Sequence, residues 1–397
     1  MLFDEEFRKD LKEGAVSLML CNLGDYISGY FLQIFQPIIM HAEILLALLP
    51  AASDARGDVY SSYGSRLGTL LHLGLAKKLI KAELMALSSI LILINTWIGL
   101  LTFIVSVVFG KYHLEPYTTV FVAVLSAVIS SILMIPSTTW LAFTSFKRGI
   151  NPDNVVAPIA TLFGDMVTVP TIVFAYLIAT GVPRIVMILF TLFLLIIPAY
   201  VFYRIATRGE NDPLERTLNI LIQNIPIIMF STSMSMLAGV ILMTNINNIV
   251  KGIGILAVIP AFLEDGGAIA CRFSSRLSTS LHLGSIKIKW LPTDSWTLKQ
   301  VLLNMIHALI IFGSLSIFGF AVAVSRGASI AWGFKVMEIV MSAGMMLTVI
   351  ITVLTYYAAM ISFKAGIDPD NTLAPILTSL ADIIGTSSLA FMLIIMG

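Results

Sequence analysis

Six stretches of the 397-residue chain, 84–109, 117–146, 185–203, 218–244, 301–325 and 339–363, each run for at least 19 residues without Asp, Glu, Lys or Arg. A bilayer core about 30 Å thick is crossed by roughly 20 residues of helix at about 1.5 Å per residue, so each run is one membrane helix. Composition agrees with a chain that lives in lipid: 58% of residues are hydrophobic, 12% are charged and the mean hydropathy is +0.94. A soluble enzyme and a nucleic-acid binder are excluded on that ground. The 24 Lys and Arg against 23 Asp and Glu leave a net charge of +1, so the basic residues need a topological reading and not a polyanion-binding one. Two cysteines, Cys21 and Cys271, are too few for a disulfide scaffold or a thiolate metal site.

Five further candidate spans carry a few charges: 14–35 with Asp25, 42–75, 154–180 with Asp165, 252–283, and 372–396 with Asp382. The total is eleven. With the N-terminus in the cytoplasm, fourteen flanking Lys and Arg, from Arg8, Lys9 and Lys12 to Lys364, fall on the inner side. Only Lys111, Arg184, Lys251, Arg326 and Lys335 fall outside, which orients the chain and puts the C-terminus out. Residues 1–13 carry charges of both signs and are read as a cytoplasmic surface segment with no cleaved signal peptide.

The chain repeats itself. SRLGTLLHLG at 65–74 returns as SRLSTSLHLG at 275–284, an offset of 210, and FKRGINPDNVVAPIATLFGD returns 217 residues later as FKAGIDPDNTLAPILTSLAD. One duplicated five-helix unit accounts for both, over 14–182 and 211–397, with a linker helix in 183–210. Five crossings alone would invert the second copy. The linker helix adds a sixth crossing, so the repeats run parallel about a pseudo-twofold axis along the membrane normal. The expected fold is thus an all-α integral membrane protein of eleven transmembrane helices.

The fifth helix of each repeat carries a polar stripe. Asn154, Pro158, Thr161 and Asp165 are spaced along one helical face, and Asn371, Pro375, Thr378 and Asp382 repeat them residue for residue. Asp165 stands eleven residues after Asn154, a rise of roughly half the hydrocarbon thickness, which puts both acids at mid-membrane. A carboxylate there costs at least ~2.5–3.5 kcal/mol and must face a polar cavity, an ion or a basic partner. A structural ion pair with Arg66 or Arg276 is the plain alternative, but it needs no Asn and Thr beside the acid.

In the second helix of each repeat, Pro50 and Pro260 precede glycines and carboxylates, so both helices are expected to be broken. Asp54, Asp58, Glu264 and Asp265 are then a second ring of oxygen ligands or a cation-attracting vestibule, or they pair Arg56, Arg66, Arg272 and Arg276. Asp25 has no acidic counterpart, because position 235 is Ser. His72 and His282 match between repeats and read as interfacial residues at helix ends. Acid, amide, hydroxyl and carbonyl ligands suit a hard cation: Mg²⁺ first, then Ca²⁺ or Mn²⁺.

PAFLEDGGAIACRFSSRLST and, more loosely, PAASDARGDVYSSYGSRLGT resemble the second helix of the MgtE-type magnesium transporters and their duplicated animal solute-carrier relatives, and the DPDN…AP…T…D segment is similar to their fifth helix. The resemblance covers both repeats. It implies a five-helix unit with the ion path between its second and fifth helices, and matches Asp165 and Asp382 to the acid that holds Mg²⁺ in the pore. The chain departs from the family's Gly-Asn at Gly57-Asp58 and Gly267-Ala268, and Asp54, Glu264 and Asp265 stand at usually uncharged positions. The regulatory cytosolic domain of bacterial MgtE proteins is not expected ahead of the first helix.

The leading reading is therefore a multi-pass protein of the cell membrane that transports a divalent cation, with Mg²⁺ as substrate, the bilayer as partner, and Na⁺ or protons as candidate coupling ions. It is read as a monomer with an internal pseudo-twofold and not an obligate dimer, and neither an enzyme nor a nucleic-acid binder. Two alternatives are an intramembrane aspartyl protease using Asp165 and Asp382 as a dyad, and a proton-coupled carrier of organic cations. The Asn-Pro-Thr stripes have no role in the protease's activation of water.

Overall fold

The computed structural model describes residues 5–110, 114–149, 152–207, 214–365 and 369–397. They form α1 (Glu5–Ile34), α2 (Gln36–His41), α3 (Ile44–His72), α4 (Ala76–Val108), α5 (Pro116–Lys147), α6 (Pro152–Gly181), α7 (Arg184–Ala206), α8 (Leu214–Thr244), α9 (Ile246–Lys251), α10 (Ile255–His282), α11 (Ser295–Ser325), α12 (Ile330–Lys364) and α13 (Pro369–Met396), with no strand among the described residues. Eight helices, α4 to α8 and α11 to α13, are long and apolar enough to cross a bilayer, which makes the chain a multi-pass membrane protein of the α class. The three other long helices, α1, α3 and α10, correspond to the candidate spans 14–35, 42–75 and 252–283.

Sequence explains where α3 and α10 stop. Gly74 and Gly284 take φ of 70° and 67°, a backbone that glycine adopts without a Cβ penalty. Gly74 N–H then donates to Leu71 O (3.1 Å) and Leu75 N–H to Leu70 O (2.9 Å), a Schellman ending that Gly284 and Ser285 reproduce on Leu281 and Ser280. The histidine in each last turn packs edge-on against an aromatic ring: His72 on Phe146 at 5.2 Å and His282 on Phe363 at 5.1 Å. The duplicated SRLxTxLHLG motif is thus a helix terminator with its own packing contact.

Neither second helix is broken. α3 runs unbroken through Pro50 and α10 through Pro260, contrary to the expectation from sequence. Each proline lies in the second helical turn, so the carbonyl deprived of its amide, that of Leu46 or Leu256, belongs to the first turn, where the loss is easily absorbed. The glycines that suggested a break serve close helix packing instead.

The chain divides into two compact units, residues 37–240 and residues 1–36 with 241–397. The first holds α3 to α7 and most of α8, and the second holds α1 with α9 to α13. Each unit therefore contains the first helix of the other repeat. Within the unit of residues 37–240, α8 presses Gly239 onto α3 so closely that a Cβ would collide with the carbonyl oxygen of Ala47. Within the other unit, α1 presses Gly29 onto the carbonyl of Ala257 on α10 in the same way. Both members of the second pair are offset from the first by 210 residues, with the helices exchanged. Backbones approach this closely only where a small residue leaves room.

A buried carboxylate ties the unit of residues 37–240 together. Glu83 on α4 is 0% exposed and accepts from Arg66 Nε of α3 at 2.9 Å and Arg216 Nε of α8 at 2.7 Å. In the other unit Arg276, the repeat mate of Arg66, pairs with Asp10 of α1 at 2.5 Å. The linker helix α7 turns Leu189, Phe193 and Ile196 outward, an apolar face suited to lipid tails.

Candidate functional site

Asp165 on α6 is buried, 6% exposed, and Oδ1 accepts a hydrogen bond of 2.6 Å from Ser53 Oγ on α3. The two helices meet through small residues. Gly57 faces the Thr161 methyl, 3.5 Å from where a Cβ would stand, and Gly164 faces Arg56 Cβ at the same distance. Thr161 lies half-buried one turn before Asp165, on the same helical face. The second and fifth helices of the repeat do pack on each other within this unit, and Ser53, absent from the sequence reading, is a hydrogen-bond donor to Asp165.

Along α3, Asp54 and Asp58 stand one turn apart and face α8. Asp54 Oδ2 accepts from Ser235, and Asp58 is hydrogen-bonded to Ser231. Ser231 and Ser235, themselves one turn apart, are 2% and 0% exposed and form a hydroxyl ladder against the two carboxylates. Both serines lie in a span that reads as uniformly apolar with scattered hydroxyls, and nothing local marks them as partners of residues 173 and 181 positions away.

The unit of residues 1–36 and 241–397 repeats the helix pair with different side chains. Asp382 on α13 is likewise 6% exposed. Gly267 of α10 lies against Thr378, whose Cγ2 would be 3.1 Å from an added Cβ, and Gly266 lies against Ala381 at 3.3 Å. The Thr378 hydroxyl donates to its own helix, at 3.1 Å from the Ala374 and Pro375 carbonyls, which leaves its lone pairs directed outward. On α10, Asp265 is 1% exposed and Oδ2 accepts from Asn22 Nδ2 of α1 at 3.2 Å. Glu264 is half-buried. Because α10 is a regular helix here, adjacent Glu264 and Asp265 point about 100° apart, and the converging pair that an unwound backbone would allow does not form. Asp25 is buried on α1, at 2% exposure.

The side chains of Asn154, Pro158 and Asn371, named as part of the polar stripes, lie outside the described residues. Among the described residues no group of three or more His, Cys, Asp or Glu comes together as a metal cage. Carboxylates stand with hydroxyl or amide neighbours instead, ligands that match hydrated Mg²⁺ better than a thiolate-seeking metal. Arg66 forms an ion pair with Glu83, and Arg276 with Asp10.

The family model described as "MgtE: Divalent cation transporter" matches residues 49–175 and 259–392. Both segments cover the second to fifth helices of a repeat. Solute carrier family 41 member 3 of Rattus norvegicus is 27% identical to the chain over 95% of its length and 85% of the relative's. Solute carrier family 41 member 2 of Xenopus laevis is 24% identical over 97% and 73%, and that of Homo sapiens 24% identical over 98% and 74%. No solved structure matches the chain.

Proposed function

The chain belongs to the MgtE family of divalent cation transporters, and from that premise we propose that it carries Mg²⁺ across the cell membrane along a path between α3 and α6 and, in the other unit, between α10 and α13. It is a transporter and not an enzyme. One observation carries the residue assignment: in each unit a buried aspartate, Asp165 or Asp382, stands one helical turn after a threonine, Thr161 or Thr378, that packs on a glycine of the second helix, Gly57 or Gly267. Small residues at that interface let an ion with part of its water approach a carboxylate, and Mg²⁺ gives up its water reluctantly. Asp165 and Asp382 hold the ion, and Thr161, Thr378, Asn154 and Asn371 complete the stripe. Asp54, Asp58, Glu264 and Asp265 line the approach, with Mn²⁺ or Ca²⁺ as lesser substrates and Na⁺ or protons as coupling ions.

All eleven long helices cross the membrane in this reading, α1, α3 and α10 included, because the charges in their middle portions are buried: Asp25, Arg56 and Asp265 are each at most 2% exposed. The excess of Lys and Arg on alternate loops puts the N-terminus inside and the C-terminus outside, with sequence repeats over 14–182 and 211–397 about the linker 183–210. Cysteines introduced beside Lys78 and Lys287 are expected to react with an impermeant reagent from the same, cytoplasmic side. Labelling from opposite faces would rule the parallel repeats out.

The function itself is tested by Mg²⁺ flux into liposomes holding the purified protein, with and without Na⁺ and proton gradients. Uptake well above that of empty liposomes is the expected result. Flux of an organic cation with none of Mg²⁺ would favour the carrier alternative.

A further inference from the structure

Arg56 is the most demanding side chain in the interior. It is 1% exposed on α3, and its guanidinium donates through Nε to Ser130 (3.2 Å) and through Nη2 to Ser126 (3.0 Å), both on α5. Nη1 has no partner, and no carboxylate stands within ion-pair distance of the group among the described residues. Asp165 follows Gly164, whose Cβ position lies 3.5 Å from Arg56 Cβ, and its hydrogen-bond donor Ser53 stands three residues before Arg56 on α3. Burying a cation against two neutral hydroxyls is costly, so packing alone does not explain it.

The other repeat shows what packing alone does. The mate of Arg56 is Gly266, and the mates of Ser126, Ser130 and Gly164 are Ala343, Leu347 and Ala381. Leu347 Cδ2 comes within 2.7 Å of the Cβ position of Gly266 and Ala381 Cβ within 3.3 Å, so aliphatic carbon takes the place of the guanidinium. Four positions on three helices differ together: one repeat has a cation, two hydroxyls to hold it and a glycine to admit it, and the other has none of these.

We propose that Arg56 is a tethered cation of the ion path, which offsets the charge of Asp165 and makes it a weaker ligand for a divalent ion than its repeat mate Asp382. The inference rests on the reading that these two acids bind the transported ion. A guanidinium fixed beside a carboxylate in a low-dielectric interior repels a dication that approaches the same oxygen. The consequence is a path with unequal stations, and conduction needs sites weak enough to release as well as bind.

The test is Mg²⁺ calorimetry on the full-length protein in detergent, with helicity followed by circular dichroism. In an Asp382→Asn background, which leaves Asp165 as the stripe acid, Arg56→Gln is expected to tighten Mg²⁺ binding at least about tenfold. Glutamine keeps a donor for the serines, so this variant is the one expected to fold. Arg56→Gly with Ser126→Ala, Ser130→Leu and Gly164→Ala, which transplants the other repeat's set, should give the same gain. Arg56→Lys, which retains the charge, should give none. Folded Arg56→Gln without a gain, or Asp165→Asn weakening the wild type as much as Asp382→Asn does, overturns the proposal. Wild-type affinity in the double Asp165→Asn, Asp382→Asn variant would instead overturn the reading of the site itself.

Discussion

Replacing both Asp165 and Asp382 by asparagine is expected to abolish measurable Mg²⁺ binding and flux while leaving a folded helical protein. Each carboxylate is 6% exposed, and asparagine keeps an acceptor oxygen where Ser53 donates to Asp165 at 2.6 Å. The local hydrogen bonding therefore survives, and only the charge goes. An ion that keeps its water shell feels such acids through outer-sphere contacts, and losing one contact of that kind costs about 10–100-fold in affinity. Taken as independent, the two changes multiply to roughly 10²–10⁴-fold. The Asp382 change should account for the larger share, because Arg56 already offsets Asp165. Calorimetry on the purified double variant, read together with its circular dichroism spectrum, decides the matter. Wild-type affinity in a folded double variant would leave the stripes as structural features only.

The largest stability effect is expected at Glu83. Removing it by Glu83→Ala leaves the guanidinium groups of Arg66 and Arg216, which it receives at 2.9 Å and 2.7 Å, facing each other without a counter-charge. Arg66 Nη2 is already buried without a hydrogen-bond partner among the described residues, so the change adds to an unsatisfied group. Breaking a buried pair by removing one member costs about 3–5 kcal/mol, whereas a surface pair is worth at most about 1 kcal/mol. The 0% exposure of Glu83 puts it in the first class. Since it joins α3, α4 and α8, the loss should appear as a strongly lowered melting temperature in detergent and a poor yield of monodisperse protein. Glu83→Gln, which keeps two polar atoms for the arginines, should be milder. A Glu83→Ala protein that melts with the wild type would show the triad to be a surface cluster in energetic terms.

Much of this architecture is written locally. Runs such as 84–109 and 117–146 have no soluble fate, because too little polar surface exists to cover them, and that alone places the chain in a membrane. The repeat could be read because duplicated helix endings preserve the same capping glycines, Gly74 and Gly284. The acids Asp165 and Asp382 stood out because a helical period groups them with Thr161 and Thr378 on one face, and an unneutralised carboxylate in hydrocarbon needs a reason. By contrast, Pro50 and Pro260 were misleading: their effect depends on position within the helix, and helix starts were placed only approximately from hydropathy. Glu83 follows Lys77, Lys78 and Lys81 and looks like one more solvated charge at a helix end. It became the centre of a buried triad only because α3 and α8 bring Arg66 and Arg216 to it.

What the chain alone determined, then, is membrane residence, helix content, duplication and the register of the acid-bearing face, all properties of spacing within one segment. What tertiary structure decided is which segment each face meets. The first helices pack on the second helices of the opposite repeat through Gly29 and Gly239; Ser231 and Ser235 reach Asp58 and Asp54; and Ser126 and Ser130 hold Arg56. A helical period states that a face is polar or small, but not which of ten other long helices supplies its complement. That choice is made by backbone approach and side-chain volume summed over the whole packed unit, quantities that no single segment encodes.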